Sequence, residues 1–227
     1  MNKSKIFLFL FIVIAIVELA TQLFSLESIH IISKPLIMIS LIFYFLSSVN
    51  KSHPAFLVVI LALVFSWVGD VALMFQNDNQ LFFIIGLAGF LISHALYIIS
   101  YRKSRTNETN VEISKPRLAR YNFFFLLICL TLLMVLRPNL GELLFPVICY
   151  AFVLTFMAIT AMHRYGRTNQ KSFWLVMVGA MLFMASDSTL ALNKFMEPIP
   201  HAGFIIMLTY ISAQYFIVEG LIKHDNR

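Results

Sequence analysis

Hydrophobic residues fall in eight long runs along the chain, and polar residues are concentrated in the short segments between them. A helix needs roughly 20 mostly apolar residues to cross a bilayer. The eight runs lie at about 6–24, 31–49, 55–75, 81–101, 119–137, 142–162, 172–193 and 201–222. The pattern predicts an all-α, polytopic integral membrane protein with eight transmembrane helices, forming a single transmembrane domain over residues 1–227.

Composition strengthens this prediction. The chain of 227 residues is 60% hydrophobic and 12% charged, whereas a soluble domain is about half apolar and about a quarter charged. The formal charge of +6 does not indicate a nucleic-acid partner, because the basic residues lie in the segments between apolar runs. Cys129 and Cys149 both lie within apolar runs, which is typical of small apolar core residues.

The distribution of basic residues predicts the orientation in the membrane. Fourteen of the 17 lysines and arginines fall on the side that holds both termini, and only Lys34, Arg137 and Lys194 fall on the other. Cytoplasmic segments carry the excess of Lys and Arg, so we expect both termini to be cytoplasmic, in the inner membrane if the source is a bacterium. The polar stretch Arg102–Arg120 divides the chain into two halves of four spans, which are candidates for a parallel four-plus-four repeat.

Two aspartates lie inside predicted spans. Asp70 is on span 3 and Asp187 on span 7, each roughly 10 Å below the outer boundary by helical rise. A charged side chain at membrane depth costs about 3 kcal/mol or more, so each marks a candidate functional site. Ser66 shares a helical face with Asp70, and Lys194 shares one with Asp187. We therefore predict one polar cavity with two carboxylates below a cationic rim; the alternative is a set of hydrogen bonds that only hold helices together.

Other polar residues inside the spans extend this candidate site. His94 lies on span 4, about 10 Å deeper than the aspartates, and Tyr210 shares a face of span 8 with Gln214. No His-x-x-x-His or Cys-x-x-Cys pair is present, so we predict no metal site. Glu18, on span 1, has two interpretations: it joins the acidic cluster, or its side chain reaches toward the membrane surface.

Short motifs follow one another through most of the chain: Lys34-Pro35, Ser66-x-x-Gly69-Asp70-x-x-Leu73, Gly86…His94-x-x-Tyr97, Pro146-x-x-x-Tyr150, Gly179-Ala180-x-x-Phe183-x-x-Ser186-Asp187-x-x-Leu190-Ala191 and Tyr210-x-x-x-Gln214. In these residues the chain resembles the YhhN-like lysoplasmalogenase family of multi-spanning membrane proteins. The resemblance implies an enzyme that hydrolyses the vinyl ether of a lysoplasmalogen to a fatty aldehyde and a glycerophospho-ethanolamine or -choline. It also implies that Asp70 and Asp187 are the catalytic pair, with no obligatory metal or cofactor.

The expected partners are therefore a lysophospholipid substrate drawn from the bilayer and the membrane lipid itself. We expect substrate to contact the polar side chains around the aspartates: Lys34, Ser66, His94, Tyr150, Ser186, Lys194, Tyr210 and Gln214. Lys34 or Lys194, near the outer boundary, would hold the phosphate.

This chemistry agrees with the residue pattern. Hydrolysis begins with protonation of the alkenyl carbon, which leaves an oxocarbenium ion that water attacks. It needs one protonated acid and one ionised carboxylate, and two carboxylates in a poorly solvated pocket do not both ionise cheaply. Lys194 follows Asp187 on one helical face, and a nearby positive charge favours an ionised carboxylate. We therefore assign Asp187 as the base and Asp70 as the acid.

Two other hypotheses remain open at this point. Eight spans with intramembrane acids also suit a proton- or cation-coupled transporter. A membrane scaffold, in which the aspartates only pair helices, is the third.

Overall fold

The computed structural model describes residues 3–77, 79–106 and 114–225, and within these ranges the chain forms eight α-helices and no strand. The helices are α1 Lys3–Phe24, α2 Glu27–Ser48, α3 Phe56–Met74, α4 Gln80–Lys103, α5 Lys115–Leu136, α6 Leu144–Met162, α7 Gln170–Phe195 and α8 Ala202–Asp225. Two short 3-10 turns, Arg137–Asn139 and Gly141–Leu143, connect α5 to α6. The predicted all-α class and the eight predicted spans are confirmed, with ends that differ by no more than four residues.

All eight described helices are long and apolar enough to cross a membrane. In lipid every backbone N–H and C=O must be satisfied internally, and a helix does this within one segment. The surface agrees with a lipid environment: Phe24, Met134 and Phe145 are each more than 70% exposed. A water-soluble protein rarely exposes apolar side chains over so much of its surface. The protein is therefore an integral, multi-pass membrane protein.

The chain divides by its internal contacts into two compact units, Met1–Ser100 and Tyr101–Arg227. The division falls in the last turn of α4, just before the basic segment that was expected to separate the two halves. The first unit holds α1, α2, α3 and most of α4, and the second holds the end of α4 and α5 to α8. The four-plus-four repeat and the single domain stay predictions.

Within the first unit, a buried acid joins α1 to α2. The Glu18 side chain is fully buried, and its Oε1 lies 2.8 Å from His30 Nδ1. Ser33 Oγ donates to Glu18 Oε2 at 2.6 Å, and Gln22 Nε2 donates to Oε1 at 3.0 Å. Of the two interpretations of Glu18, the one in which its side chain reaches the membrane surface is wrong, because His30 and Ser33 on α2 hold the carboxylate inside the unit.

Within the second unit, α7 and α8 pack closely through two glycines. A Cβ added at Gly179 would lie 2.9 Å from the carbonyl oxygen of Ala213, and one at Gly220 would lie 2.9 Å from the backbone nitrogen of Val176. Both distances are shorter than real Cβ contacts, so only glycine allows the two backbones this separation. This contact sets the register of α8 against the residues of α7 that include Asp187.

A buried arginine, Arg164, connects the ends of helices in the second unit by hydrogen bonds. Arg164, just after α6, is fully buried, and its guanidinium donates to the carbonyl of Ser104 and to the carbonyl and hydroxyl oxygens of Ser172. Burial lowers the pKa of Arg164 to about 10, so the group stays charged at neutral pH. Ser172 in turn donates to the carbonyl of Gly220 at 2.6 Å, which ties the beginning of α7 to the end of α8.

Candidate active site

Close packing of α3 on α4 determines the surroundings of Asp70 in the first unit. A Cβ at Gly89 would lie 3.0 Å from the backbone nitrogen of Gly69 and 3.0 Å from the carbonyl oxygen of Phe65. A Cβ at Gly69 would lie 2.6 Å from the ring of Phe90. The two helices therefore approach at small residues, as membrane helices often do. Asp70 directly follows Gly69 on α3 and is 3% exposed, so its carboxyl group is enclosed by protein.

Ser66 and His94 belong to the same packed region. Ser66 Oγ lies 2.7 Å from Ser93 Oγ across the α3–α4 contact, and both serines are fully buried. His94, the next residue on α4, is also fully buried, with its ring stacked against Phe90 at 6.5 Å between centroids. Because Ser93 is level with Ser66, Ser66 is four residues before Asp70 and His94 is one residue after Ser93, His94 lies roughly 7.5 Å deeper than Asp70 by helical rise. The sequence predicted a depth difference of about 10 Å.

Asp187 in the second unit has a direct partner on the neighbouring helix. Tyr150 on α6 donates its hydroxyl hydrogen to Asp187 Oδ2 on α7 at 2.5 Å. Hydrogen bonds from a hydroxyl to a carboxylate are short, at about 2.5–2.7 Å, and stronger than those between neutral groups. Asp187 is partly exposed, unlike Asp70. The Tyr150 bond fixes the orientation of one carboxylate oxygen and leaves the other, Oδ1, outside that bond.

Residues of α8 complete the surroundings of Asp187. Ser186 donates to the carbonyl of Ile206 at 3.0 Å, so its hydroxyl hydrogen is engaged in holding α7 to α8. Tyr210 is buried edge-on against Phe183, with 5.5 Å between ring centroids. Gln214 Nε2 lies 3.4 Å from the Tyr210 hydroxyl oxygen, a long hydrogen bond within one face of α8. These side chains form a polar layer inside the second unit.

The two lysines expected at the rim lie in different settings. Lys194 is exposed in the last turn of α7, seven residues or roughly 10 Å beyond Asp187 along the helix. Lys34 is half-buried and lies two turns inside α2, because that helix begins at Glu27 and not at about residue 31. The predicted span beginning at about residue 31 puts Lys34 three residues from its start, and α2 itself begins seven residues before Lys34. The place of Lys34 near the outer boundary stays a prediction.

The first unit thus holds Asp70, Ser66, His94 and Lys34, and the second holds Asp187, Tyr150, Ser186, Tyr210, Gln214 and Lys194. A common cavity for the two aspartates stays a prediction. Ser93 and the partners of Glu18 were not predicted from the sequence. The one signal for Ser93 is its place beside His94 in an apolar run, and His30 lies between the predicted spans 6–24 and 31–49. Among the described residues no group of three or more His, Cys, Asp or Glu is placed to hold a metal ion, and the expectation that no metal is needed stays a prediction.

The sequence is similar to known proteins over most of its length. The model of the YhhN family matches residues 29–221. Lysoplasmalogenase TMEM86A of Bos taurus is 30% identical over 176 residues, which are 76% of this chain and 68% of the bovine protein. Lysoplasmalogenase TMEM86B of Homo sapiens is 32% identical over 166 residues, 71% of this chain and 62% of the human protein. No solved structure matches the chain significantly. Since the family model covers well over half of the sequence and includes Asp70, Tyr150 and Asp187, this chain belongs to the YhhN family.

Proposed function

We propose that this protein is a membrane-embedded hydrolase that cleaves the vinyl ether bond of lysoplasmalogen-type lipids. The similarity to proteins named lysoplasmalogenase, over three quarters of the chain, is the observation that carries the proposal. The two intramembrane aspartates support it, because a carboxylate inside an apolar span is costly and is usually retained for function. The products are a fatty aldehyde and a glycerophospho-ethanolamine or -choline.

The proposed reaction uses Asp70 as the general acid and Asp187 as the general base. Asp70 gives its proton to the alkenyl carbon, and the ether carbon becomes an oxocarbenium ion. Asp187 takes a proton from water as the water oxygen adds to that carbon and forms a hemiacetal. The hemiacetal then breaks at its ether C–O bond; the hydroxyl proton passes to the leaving alkoxide, and aldehyde and alcohol separate. Asp187 then loses its proton to solvent and Asp70 gains one from solvent, which restores both groups. Positioned acids and bases typically contribute about 10²–10⁴-fold each to such steps.

In this mechanism Tyr150 is a positioning residue for Asp187. Its hydroxyl donates to Oδ2 at 2.5 Å, which holds the carboxylate in one orientation while it takes the proton from water. The partial exposure of Asp187 supports the role of base, because the base must reach a water molecule. The enclosure of Asp70 supports the role of acid, because an uncharged carboxyl group costs less than a carboxylate in a site shielded from water.

The remaining polar residues are proposed to bind substrate. A lysolipid has one chain and a charged headgroup, so it enters sideways from the bilayer. Lys34 or Lys194 holds the phosphate, as an ammonium suits this ligand. Ser66, His94, Ser186, Tyr210 and Gln214 line the polar region near the vinyl ether.

An assay of the purified protein in detergent tests the proposal. The substrate is a lysoplasmalogen, and the matched control is the lysolipid with a saturated alkyl ether, which lacks the double bond to be protonated. In D₂O, each aldehyde formed from the vinyl ether should carry one deuterium on the carbon next to the carbonyl, measured by mass spectrometry after immediate reduction to the alcohol. The alkyl ether should remain intact.

Absence of aldehyde, together with substrate-dependent proton movement in sealed vesicles, would contradict the proposal. A transporter needs two separated compartments, whereas a hydrolase works equally well in detergent. Cleavage of both ethers would also refute the mechanism, because protonation of carbon requires the double bond.

A further inference from the structure

A lateral groove in the second unit differs in character from the aspartate region. It has a volume of about 660 Å³ and runs between the beginning of α5, the end of α6 and the beginning of α7. Its lining is Arg117, Arg120, Tyr121, Phe124, Phe125, Met162, Tyr165, Phe173, Trp174, Met177 and Met181. The volume lies within the range of roughly 300–1,000 Å³ that is typical of small-molecule sites.

The groove is polar at one end only. Arg117 and Arg120 are exposed and three residues apart on α5, so their side chains are neighbours on one face at about 5–6 Å. No acidic residue is among the lining side chains of this described region. Two adjacent guanidinium groups present donors in the planar geometry that suits phosphate oxygens. The charged end of the groove therefore favours an anion.

Other cations strengthen the positive potential at this end of the second unit. Asn122, next to Tyr121, lies 3.1 Å from His163 Nε2 across from α5 to the end of α6. Burial lowers the pKa of the His163 imidazole, and the positive charges of Arg105, Arg167 and Arg102 lower it further. Arg102, Arg105 and Arg167 therefore add positive charge around His163, the residue that follows the lining residue Met162.

The rest of the groove fits a hydrocarbon chain. Below the arginines the walls are phenylalanines and methionines, and from Trp174 to Met181 the groove follows α7 for roughly 10 Å. Trp174 is 52% exposed, and Tyr121 and Tyr165 are nearly 40% exposed. Tyrosines and tryptophans of this kind concentrate where hydrocarbon meets headgroups. The charged end of the groove, level with Trp174, lies roughly 20 Å along α7 from Asp187, and its apolar end at Met181 lies roughly 9 Å from Asp187. A phosphate bound at the charged end is therefore remote from the proposed reaction.

We propose that this groove binds one anionic glycerophospholipid, with its phosphate on Arg117 and Arg120 and an acyl chain along Trp174, Met177 and Met181. The occupant is a resident membrane lipid and not the hydrolysed substrate. A cationic side chain near a membrane surface contributes about 1 kcal/mol to attraction of anionic lipid, so two of them favour an anionic over a zwitterionic lipid by about 25-fold.

Tryptophan fluorescence measures this preference directly, because the chain has only two tryptophans. In the Trp67→Phe protein, Trp174 is the one remaining tryptophan, so the fluorescence reports on the groove. This change is mild, since the buried indole N–H of Trp67 has no hydrogen-bond partner among the described residues. In phosphatidylcholine vesicles, bromine-labelled phosphatidylglycerol should quench Trp174 half-maximally at about 25-fold lower mole fraction than bromine-labelled phosphatidylcholine.

Variants of the two arginines identify the cause. In Arg117→Gln/Arg120→Gln the two labelled lipids should quench alike. Lys3→Gln/Lys5→Gln is the matched control, because it removes two exposed charges from the first turn of α1, and it should keep the full preference. Arg117→Lys/Arg120→Lys keeps both positive charges and should retain most of the preference for phosphatidylglycerol. It provides a second measurement if the glutamine variant unfolds.

Three results would overturn the proposal. Equal quenching by both lipids in the Trp67→Phe protein would show that the groove does not select charge. Equal loss of preference in Lys3→Gln/Lys5→Gln would assign the effect to the general surface potential. Complete loss in the lysine variant, with an unchanged thermal unfolding temperature, would show that charge at this place does not hold the lipid.

Discussion

The hydrogen bond between Tyr150 and Asp187 permits a sharp test of how the proposed base is held. Tyr150→Phe keeps the aromatic ring and removes only the hydroxyl that donates to Oδ2 at 2.5 Å. A hydrogen bond to a charged group is worth about 1.5–3 kcal/mol. If all of this free energy serves to orient Asp187 in the transition state, Tyr150→Phe should slow hydrolysis by about 10- to 150-fold, because about 1.36 kcal/mol corresponds to a tenfold change in rate.

Kinetics separate positioning from folding and from binding. The loss should appear in kcat, with KM changed less than about threefold, because the bond acts on the transition state more than on bound substrate. Tyr215→Phe is the matched control: it removes a hydroxyl from another half-buried tyrosine of the second unit and should leave kcat unchanged. Wild-type kcat in Tyr150→Phe would refute the positioning role. An equal loss of kcat in Tyr215→Phe would show that the effect is structural.

Two further predictions concern the fold. Glu18→Ala removes the carboxylate that accepts hydrogen bonds from Ser33 and Gln22 and pairs with His30. We expect the free energy of unfolding of the first unit to fall by about 1–3 kcal/mol in a detergent-based unfolding titration. Glu27→Ala, at an exposed site, is the control and should change this free energy by less than about 0.5 kcal/mol. A Glu18→Ala protein as stable as wild type would show that the network contributes nothing net. Reporter fusions should place both termini in the cytoplasm, as the 14-to-3 distribution of Lys and Arg predicts, and an external reporter at either end would reverse the orientation.

The helices were predictable because lipid restricts what a chain can do. A run of about 20 apolar residues crosses a bilayer as a helix, because a helix satisfies its backbone hydrogen bonds within one segment. Hydropathy alone therefore predicted all eight described helices. Asp70 and Asp187 were predictable as special for the same reason, because each interrupts such a run. The ends of helices were less certain, and α2 shows the consequence. Its start at Glu27 brings His30 into the helix, where it can meet Glu18.

Side-chain partners between helices were beyond the sequence. The sequence grouped Tyr150 with the polar side chains around the aspartates, but it does not say which helices are neighbours or which faces meet. The contact depends on α6 packing against α7. The Ser66–Ser93 bond likewise depends on Gly69 and Gly89, which let α3 and α4 approach. Such pairs follow from tertiary packing and leave little trace in a single apolar run.

The central claim is that Asp70 gives a proton to the substrate and Asp187 takes one from the attacking water, and Asp→Asn substitution tests it most directly. Asparagine keeps the size and hydrogen-bonding capacity of aspartate but neither gives nor takes a proton usefully at neutral pH. Asp70→Asn and Asp187→Asn should each reduce vinyl ether hydrolysis at least about 100-fold, and the double variant should be scarcely slower than either single one. Glu27→Gln, a change of the same kind at an exposed site, should have no effect, and a chelator should leave wild-type activity intact. Near-normal turnover in either asparagine variant, at equal expression and thermal stability, would contradict the account.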